Sequence, residues 1–346
     1  MKISGKSIGL KHEPFIIAEM SGNHNGSLEK ALKIVEEAAK CGADAIKLQT
    51  YTEETLTIDV DREEFFISDR NSLWYGQSLH NLYKQAHTPW EWHKDIFAHA
   101  KKNNLICFSS PFDDSAVELL ESLNTPAYKI ASPEIVDHGL IEKVANQNKP
   151  MIISTGMASF EEISEAVEIC LAAGNNQIAL LQCTSSYPAD AKNSNLRTIP
   201  DLRKKFKCEV GLSDHTMGIG AALSSIALGA TIIEKHFTLS RDDKGVDSEF
   251  SLDPPELTNL VKESKKSHAA LGEIKYGTYE AEKGALIFRR SLYVIKDIQK
   301  GEKFSKENIK SIRPGLGLHA KYLSSFIGKE AKTDLKKGTP ASLDMI

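Results

Sequence analysis

Short apolar runs recur along the first three quarters of the chain, separated by segments whose apolar positions follow a helical period. The runs cover residues 15–19, 45–49, 105–109, 127–131, 151–154, 178–183, 209–212 and 231–235. Eight strand-length runs alternating with helices predict an α/β fold, a (β/α)8 TIM barrel. A doubly wound sheet usually has fewer strands and often a Gly-rich first turn. The helices are punctuated as this reading requires. Ser27 caps a segment with Leu28, Leu32, Val35 and Ala39 on one face, and Gly42 ends it. Ser159 and Glu162 form a capping-box signature ahead of Ile163, Val167, Cys170 and Leu171, with Gly174 as terminator, and Asp253-Pro254 opens a last helix that ends near Gly272.

Two stretches depart from the rhythm. Residues 51–104 separate the second and third runs and hold Trp74, Trp90 and Trp92, all three tryptophans of the chain. An insertion on the catalytic face is a natural place for substrate selectivity, and a surface excursion packed by its own aromatics is the equal alternative. After Glu282 the pattern changes to short strand-like pieces with frequent turns, and Asp297-Ile298-Gln299-Lys300-Gly301 recurs as Asp334-Leu335-Lys336-Lys337-Gly338. We therefore expect a barrel over residues 1–272, a linker over 273–285 and a small β-rich domain over 286–346. The last is too small to bury much core alone.

Length and composition fit this division. The 346 residues hold a barrel of about 250 residues plus a small domain. The 43 basic and 47 acidic residues create no field that favours nucleic acid or an anionic membrane, so any anionic ligand must be held by a local cluster. The five cysteines are odd in number and scattered, as in a reduced, cytoplasmic protein. No apolar run is long enough to suggest a membrane span.

The chemistry gathers at the carboxyl ends of the runs, where barrel enzymes place their active sites. Gly211-Leu212-Ser213-Asp214-His215-Thr216 and Glu234-Lys235-His236-Phe237 each set a histidine just past an apolar run, with a small-residue helical stretch between them. A lone strand-end histidine is usually a packing residue. Two at successive strand ends converge on one rim and can hold one divalent metal. Glu19, Lys47 and Gln49, Lys129 with Ser132 and Glu134, and Ser154 lie on the same rim. Lysines within apolar strands keep their charge only beside an anion, so lysines and hydroxyls from several strands suggest a phosphate or carboxylate cradle. A lysine so placed can equally form a structural ion pair or act as a Schiff-base nucleophile.

At these residues the chain resembles the sialic acid synthase family, the phosphoenolpyruvate-condensing synthases of nonulosonic acids. Seven motifs in order carry the resemblance: Ile17-Ala18-Glu19 with Asn23-His24-Asn25-Gly26, Gly42 to Gln49, Tyr128 to Ser132, Ile153 to Met157, Gln182 to Pro188, Gly211 to His215, and Glu234 to Phe237. Arg290-Ser291-Leu292 and Ile312-Arg313-Pro314-Gly315 resemble the family's antifreeze-like (SAF) domain. Gly76-Gln77-Ser78-Leu79, His87 to His93, Ser109 to Asp113 and Gly245 to Leu252 look most like members that form pseudaminic acid, and less like those that form N-acetylneuraminate. Legionaminate-forming members are a further alternative. Pro133 and Glu249 depart from the subgroup's pattern, the first often aromatic there and the second commonly small.

The resemblance implies condensation of phosphoenolpyruvate with an acetamido sugar, 2,4-diacetamido-2,4,6-trideoxy-L-altrose, with release of phosphate. His215 and His236 would hold the divalent metal; imidazole favours Mn²⁺ over Mg²⁺, and Co²⁺ is a further candidate. Lys47, Lys129, Ser132, Ser154, Ser185 and Ser213 are the expected phosphoenolpyruvate cradle, with Ser110 beside it. Glu19 and Glu134 are the acid/base carboxylates, with Lys129 counted among the catalytic groups, and Gln49, Tyr187 and Asp247 the sugar contacts. The resemblance also implies a domain-swapped homodimer in which the tail of one chain brings Arg313 to the other's sugar, although docking within one chain satisfies a thin domain equally. Two rival classes share parts of this pattern. A class II aldolase or other metal-dependent barrel lyase would share the histidines without releasing phosphate, and a carbohydrate-binding protein that kept the tail would bind without turnover.

Overall fold

The apolar runs become strands because each is buried on two faces, one turned to the barrel interior and one to the surrounding helices. A computed structural model describes residues 1–70 and 72–346. It forms two compact units, Met1–Gly272 and Glu273–Ile346. In the first, a short hairpin, β1 (Lys2–Ile3) and β2 (Lys6–Ser7), precedes eight parallel strands: β3 (Phe15–Glu19), β4 (Ala45–Thr50), β5 (Ile106–Pro111), β6 (Tyr128–Ile130), β7 (Met151–Ser154), β8 (Ile178–Cys183), β9 (Glu209–Asp214) and β10 (Ile232–His236). They follow one another around a closed barrel, and β10 pairs with β3 to seal it. This is the (β/α)8 barrel that the alternation predicts.

Strand alternation sorts the side chains. Phe15, Ile17, Ala45, Phe108, Ala127, Ile152, Ala179, Leu181 and Ile232 form the barrel's inner core, with Ile3 and Ile8 of the hairpin region packed into the same cluster. Continuing that inward face by two residues gives Glu19, Lys47, Lys129, Ser154, Cys183 and Glu234, so the upper part of the same interior is polar. The opposite faces of the strands pack on the helices.

The caps form as the sequence indicates. Ser27 accepts from the Lys30 amide at the start of helix Leu28–Cys41 and Gly42 closes it with φ of 86°. Ser159 and Glu162 complete both bonds of their capping box. The buried faces differ in detail from the predicted stripes. Ala31, Ile34, Val35, Ala38 and Cys41 are buried in the first helix, while Leu28, Leu32 and Ala39 only flank the core. Two alanines on the inner face let the backbone approach the sheet closely. Leu171 is 52% exposed, and Ala166 takes the inward position beside Val167 and Cys170.

In the second unit, β11 (Ser291–Val294) pairs antiparallel with β12 (Ile309–Ile312) over a core that includes Leu292, Val294, Ile298, Phe304 and Phe326. The repeated turn has a structural meaning. Ile298 and Leu335 exchange both backbone bonds, the Lys300 amide donates to Asp334, and the Lys337 amide donates to Asp297. The two copies therefore cap each other. The strand-like pattern expected after Glu282 begins later, because Glu280–Phe288 forms a 3-10 helix whose first turn is bonded by Glu282 to the Tyr279 amide.

Gly211 faces the crowded barrel interior. An added Cβ would overlap the Ile232 carbonyl and approach Leu181 Cδ2 to 2.8 Å. Gly211→Ala is expected to cost about 1–3 kcal/mol by overpacking, read as a lower urea midpoint with an unchanged slope. An unchanged midpoint would contradict this packing.

Candidate active site

The polar upper layer of the barrel is built around four buried charges. Lys47 Nζ lies 2.6 Å from Glu19 Oε2 and 3.7 Å from Glu234 Oε1, and Lys129 Nζ lies 3.9 Å from the same Glu234 oxygen. All four side chains are at most 5% exposed. Two positive and two negative charges can share this space because each ammonium has a carboxylate neighbour. Lys129 Nζ also donates to Ser154 Oγ at 2.6 Å, Lys47 Nζ to Ser110 Oγ at 3.3 Å, and Ser213 Oγ to Glu234 Oε1 at 3.4 Å. Gln49 Nε2 donates to Glu19 Oε1 at 3.0 Å.

The environment pushes the two carboxylates apart. Burial is the largest influence on both. At Glu234 the Lys129 and Lys47 ammonium groups outweigh it and hold the carboxyl below its usual range. At Glu19 burial prevails, assisted by the Glu234 charge, and raises the pKa. Burial also works against the Lys47 charge, but Glu19 and Glu234 outweigh it, whereas burial lowers Lys129. Lys129 is therefore the less firmly satisfied cation, and an anionic ligand would relieve it.

Ser132 and Ser185 converge beside this layer on Gly156. The Gly156 amide donates to Ser132 Oγ at 3.0 Å, and an added Cβ would come within 2.7 Å of that oxygen and overlap Ser185 Oγ. A glycine here keeps the two hydroxyls and a backbone N–H close together.

His215 and His236 meet as their sequence spacing predicts, with ring centroids 5.3 Å apart. What joins them is an ion pair between their sequence neighbours. Lys235, on the helix-facing side of β10, donates to Asp214 Oδ2 at 2.9 Å, the Thr216 carbonyl at 2.6 Å and the Gly218 carbonyl at 2.9 Å. All three ammonium donors are used, and the chain on either side of His215 is tied to the residue before His236. The His215 Nδ1 pairs with the Thr184 carbonyl at 2.9 Å, which selects the Nδ1–H tautomer and leaves Nε2 with its lone pair. His236 Nδ1 is buried without a hydrogen-bond partner, 3.6 Å from Asp247 Oδ2. Burial holds His236 well below its usual pKa, hence neutral, and a proton on His215 would lower it further. At His215 burial also works against the charge, but Cys183 and the Thr184 carbonyl outweigh it and raise the pKa. Two imidazoles side by side, one neutral with an orphaned nitrogen, fit a divalent transition metal, which would take the place of the proton on His215. Among the described residues, the one group of three or more potential ligands within 4.8 Å of one another is elsewhere, Glu53, Glu54 and His80 of the insertion.

Aromatic rings wall this pair. Tyr187 lies 4.4 Å from His215 and 5.3 Å from Phe250, and Trp74 of the insertion lies 5.8 Å from Tyr187. Of the three tryptophans only Trp74 contacts these rings; Trp90 donates to the Tyr51 carbonyl and Trp92 packs edge-on to His24. Glu134 stands a little apart, on the 3-10 helix Pro133–Val136 that follows β6. Burial raises its pKa to about 7, and its Oε2 has no partner. Arg313 lies in the second unit, exposed.

Glu234 is the residue that sequence reasoning passed over. Its signal was present: on a strand, residues two apart share a face, so the inward His236 implies an inward Glu234, with Lys235 pointing away.

Residues 34–276 match the NeuB family, and residues 289–346 match the SAF domain. The chain belongs to the NeuB family. The pseudaminic acid synthase of Campylobacter jejuni subsp. jejuni serotype O:2 is 46% identical to it over 94% of this chain and 94% of its own. That of Helicobacter pylori is 44% identical over 96% and 98%. A solved N-acetylneuraminic acid (sialic acid) synthetase from Leptospira borgpetersenii serovar Hardjo-bovis, in complex with citrate, is 34% identical, with a TM-score of 0.72 over 83% of this chain and 94% of that one. This NeuB-family chain has, among its described residues, no helix long and apolar enough to cross a membrane.

Glu134 supplies a test of the site's electrostatics. Its folded pKa of about 7 lies above the usual 4.5, so the folded state binds the proton more tightly and its stability falls as pH rises from about 4.5 through about 7. Glu134→Gln removes that slope. Relative to the variant, the wild-type chain should lose on the order of 1–3 kcal/mol between pH 5 and pH 8, measured by urea unfolding at both pH values. An equal pH slope in the two proteins would contradict the burial of this carboxyl.

Proposed function

We propose that this chain is a pseudaminic acid synthase, joining phosphoenolpyruvate to 2,4-diacetamido-2,4,6-trideoxy-L-altrose to give pseudaminic acid and phosphate. The observation that carries the reading is the pair of buried ammonium groups, Lys47 and Lys129, on a shared carboxylate beside two converging imidazoles at the mouth of a NeuB-family barrel. Full-length likeness to pseudaminic acid synthases supports the choice of sugar.

Each part of the site has work in that reaction. Lys47 and Lys129, with Ser132, Ser154, Ser185 and Ser213, hold the carboxylate and phosphate of phosphoenolpyruvate. A divalent metal on His215 and His236, with Mn²⁺ the expected ion, would polarise the sugar's aldehyde. Carbon 3 of phosphoenolpyruvate bonds to the aldehyde carbon, whose oxygen takes up a proton from Glu134. Carbon 2, left electron-poor, is captured by water, and Glu19 accepts the proton that the water gives up. The bond from carbon 2 to the phosphate oxygen then breaks as the new carbon 2 hydroxyl becomes the keto oxygen, and its proton leaves with the phosphate. Gln49, Tyr187 and Asp247 orient the sugar. In a homodimer, Arg313 from the SAF domain of one chain would reach the sugar held by the other, its planar fork suited to a hydroxyl or amide carbonyl. A cytoplasmic setting suits both substrates and the five free cysteines.

The test is phosphate release from phosphoenolpyruvate against a panel of acetamido sugars, with ¹⁸O in the bridging position. The diacetamido-altrose should give the highest kcat/KM, and the label should leave with phosphate. Label retained in the sugar acid, or no release with any sugar, would overturn the reading. Chelation that leaves the protein metal-free by elemental analysis should abolish turnover, and added Mn²⁺ should restore it. A normal rate without metal would remove His215 and His236 from that role.

A further inference from the structure

On the far side of Trp74 from Tyr187 and the imidazole pair lies a cavity of about 450 Å³ that none of these roles uses. Its walls come from two separate stretches, the insertion with Leu73, Trp74, Gln77 and Leu82, and the loop after β10 with Val246 and Glu249. Trp74 belongs to both places. Its indole N–H donates to the Val246 carbonyl at 3.2 Å, which fixes the ring against the loop, and the same ring lies 5.8 Å from Tyr187, itself 4.4 Å from His215. Two successive ring contacts thus connect the cavity to the point where the sugar's aldehyde would sit.

The lining has a definite chemistry. Leu73, Leu82, Val246 and the indole are apolar. Arg241, also on the wall, is bound to Glu256 and lies 3.9 Å from Asp253. The remaining charges, Lys244 and Glu249, are opposite in sign. The cavity therefore suits a neutral group with a small apolar part. Gln77 supplies an amide, and its Oε1 is buried without a partner among the described residues. Turning that amide over sacrifices no bond at Oε1, so Gln77 can offer the cavity either a donor or an acceptor. An acyl-amino group has both an N–H and a carbonyl to match, and a methyl for the apolar wall.

Resting on the reaction proposed above, we propose that this cavity seats the acetamido group at carbon 4 of the sugar, with Gln77 bonding its amide and Trp74 and Val246 flanking its methyl. The cavity would then select sugars with a second acyl-amino group over those with a hydroxyl at the same carbon. Sites built to bond a polar group discriminate against ligands that lack it.

The test compares the diacetamido sugar with its 4-hydroxy counterpart, by kcat/KM and by calorimetric binding. Wild-type protein should favour the diacetamido sugar. Gln77→Leu should lose about tenfold on it and under threefold on the 4-hydroxy sugar, with KM for phosphoenolpyruvate unchanged. Val246→Phe, which fills the cavity from the other wall while keeping the carbonyl that holds Trp74, should give the same selective loss and serves if Gln77→Leu does not fold. Equal losses on both sugars, or no loss on either, would overturn the assignment. If wild-type protein turns over neither sugar, the reaction reading fails. Binding that still discriminates the 4-substituent would then uphold the cavity's role, and binding that does not would overturn it.

Discussion

Two lysines and two glutamates sealed in the upper barrel set the terms for everything around them. None of the four could remain charged alone in that interior. Glu234 resolves the problem by standing between Lys47 and Lys129, while Glu19 pairs with Lys47. The arrangement leaves Lys129 the less neutralised of the two cations, with a single carboxylate at 3.9 Å beside a serine hydroxyl and the Ile130 carbonyl. A barrel interior filled with apolar side chains would be more stable, and on the proposed function this layer's cost is offset by a site already charged for an anionic ligand.

The second device is less visible. The buried bond between Lys235 and Asp214 lies on the opposite face of the same strands. It fixes the ends of β9 and β10 relative to each other, and so fixes His215 against His236. Alternation along β10 assigns the two tasks: Glu234 and His236 face the chemistry, while Lys235 faces the helices and holds the frame. Tyr187 and Phe250 then cover one side of the imidazoles, with Trp74 packed against Tyr187 behind them.

Much of this was legible in the chain. The eight strands came from apolar periodicity, the helix ends from Ser27, Ser159 and Asp253, and the histidine pair from two similar strand ends. These signals are local, and local signals survive in sequence. Glu234 is marked only by alternation from His236, because a lone glutamate in an apolar run carries no local signal of which face it takes. The true inner faces of the helices were shifted because small residues such as Ala31 and Ala166 carry little hydrophobic signal yet permit the closest approach. The contact of Trp74 with Tyr187 spans more than a hundred residues, and no spacing in the sequence encodes it.

On the function proposed here, Lys129 and Lys47 form a preassembled cradle for an anionic enol ester, held ready by Glu234. A crystal structure with phosphoenolpyruvate bound tests it most directly. The account predicts carboxylate or phosphate oxygens of the ligand within hydrogen-bond distance of both ammonium groups, with Glu234 still between them and the strand framework unmoved. Phosphoenolpyruvate bound elsewhere, or bound with both lysines still turned wholly to Glu19 and Glu234, would contradict it.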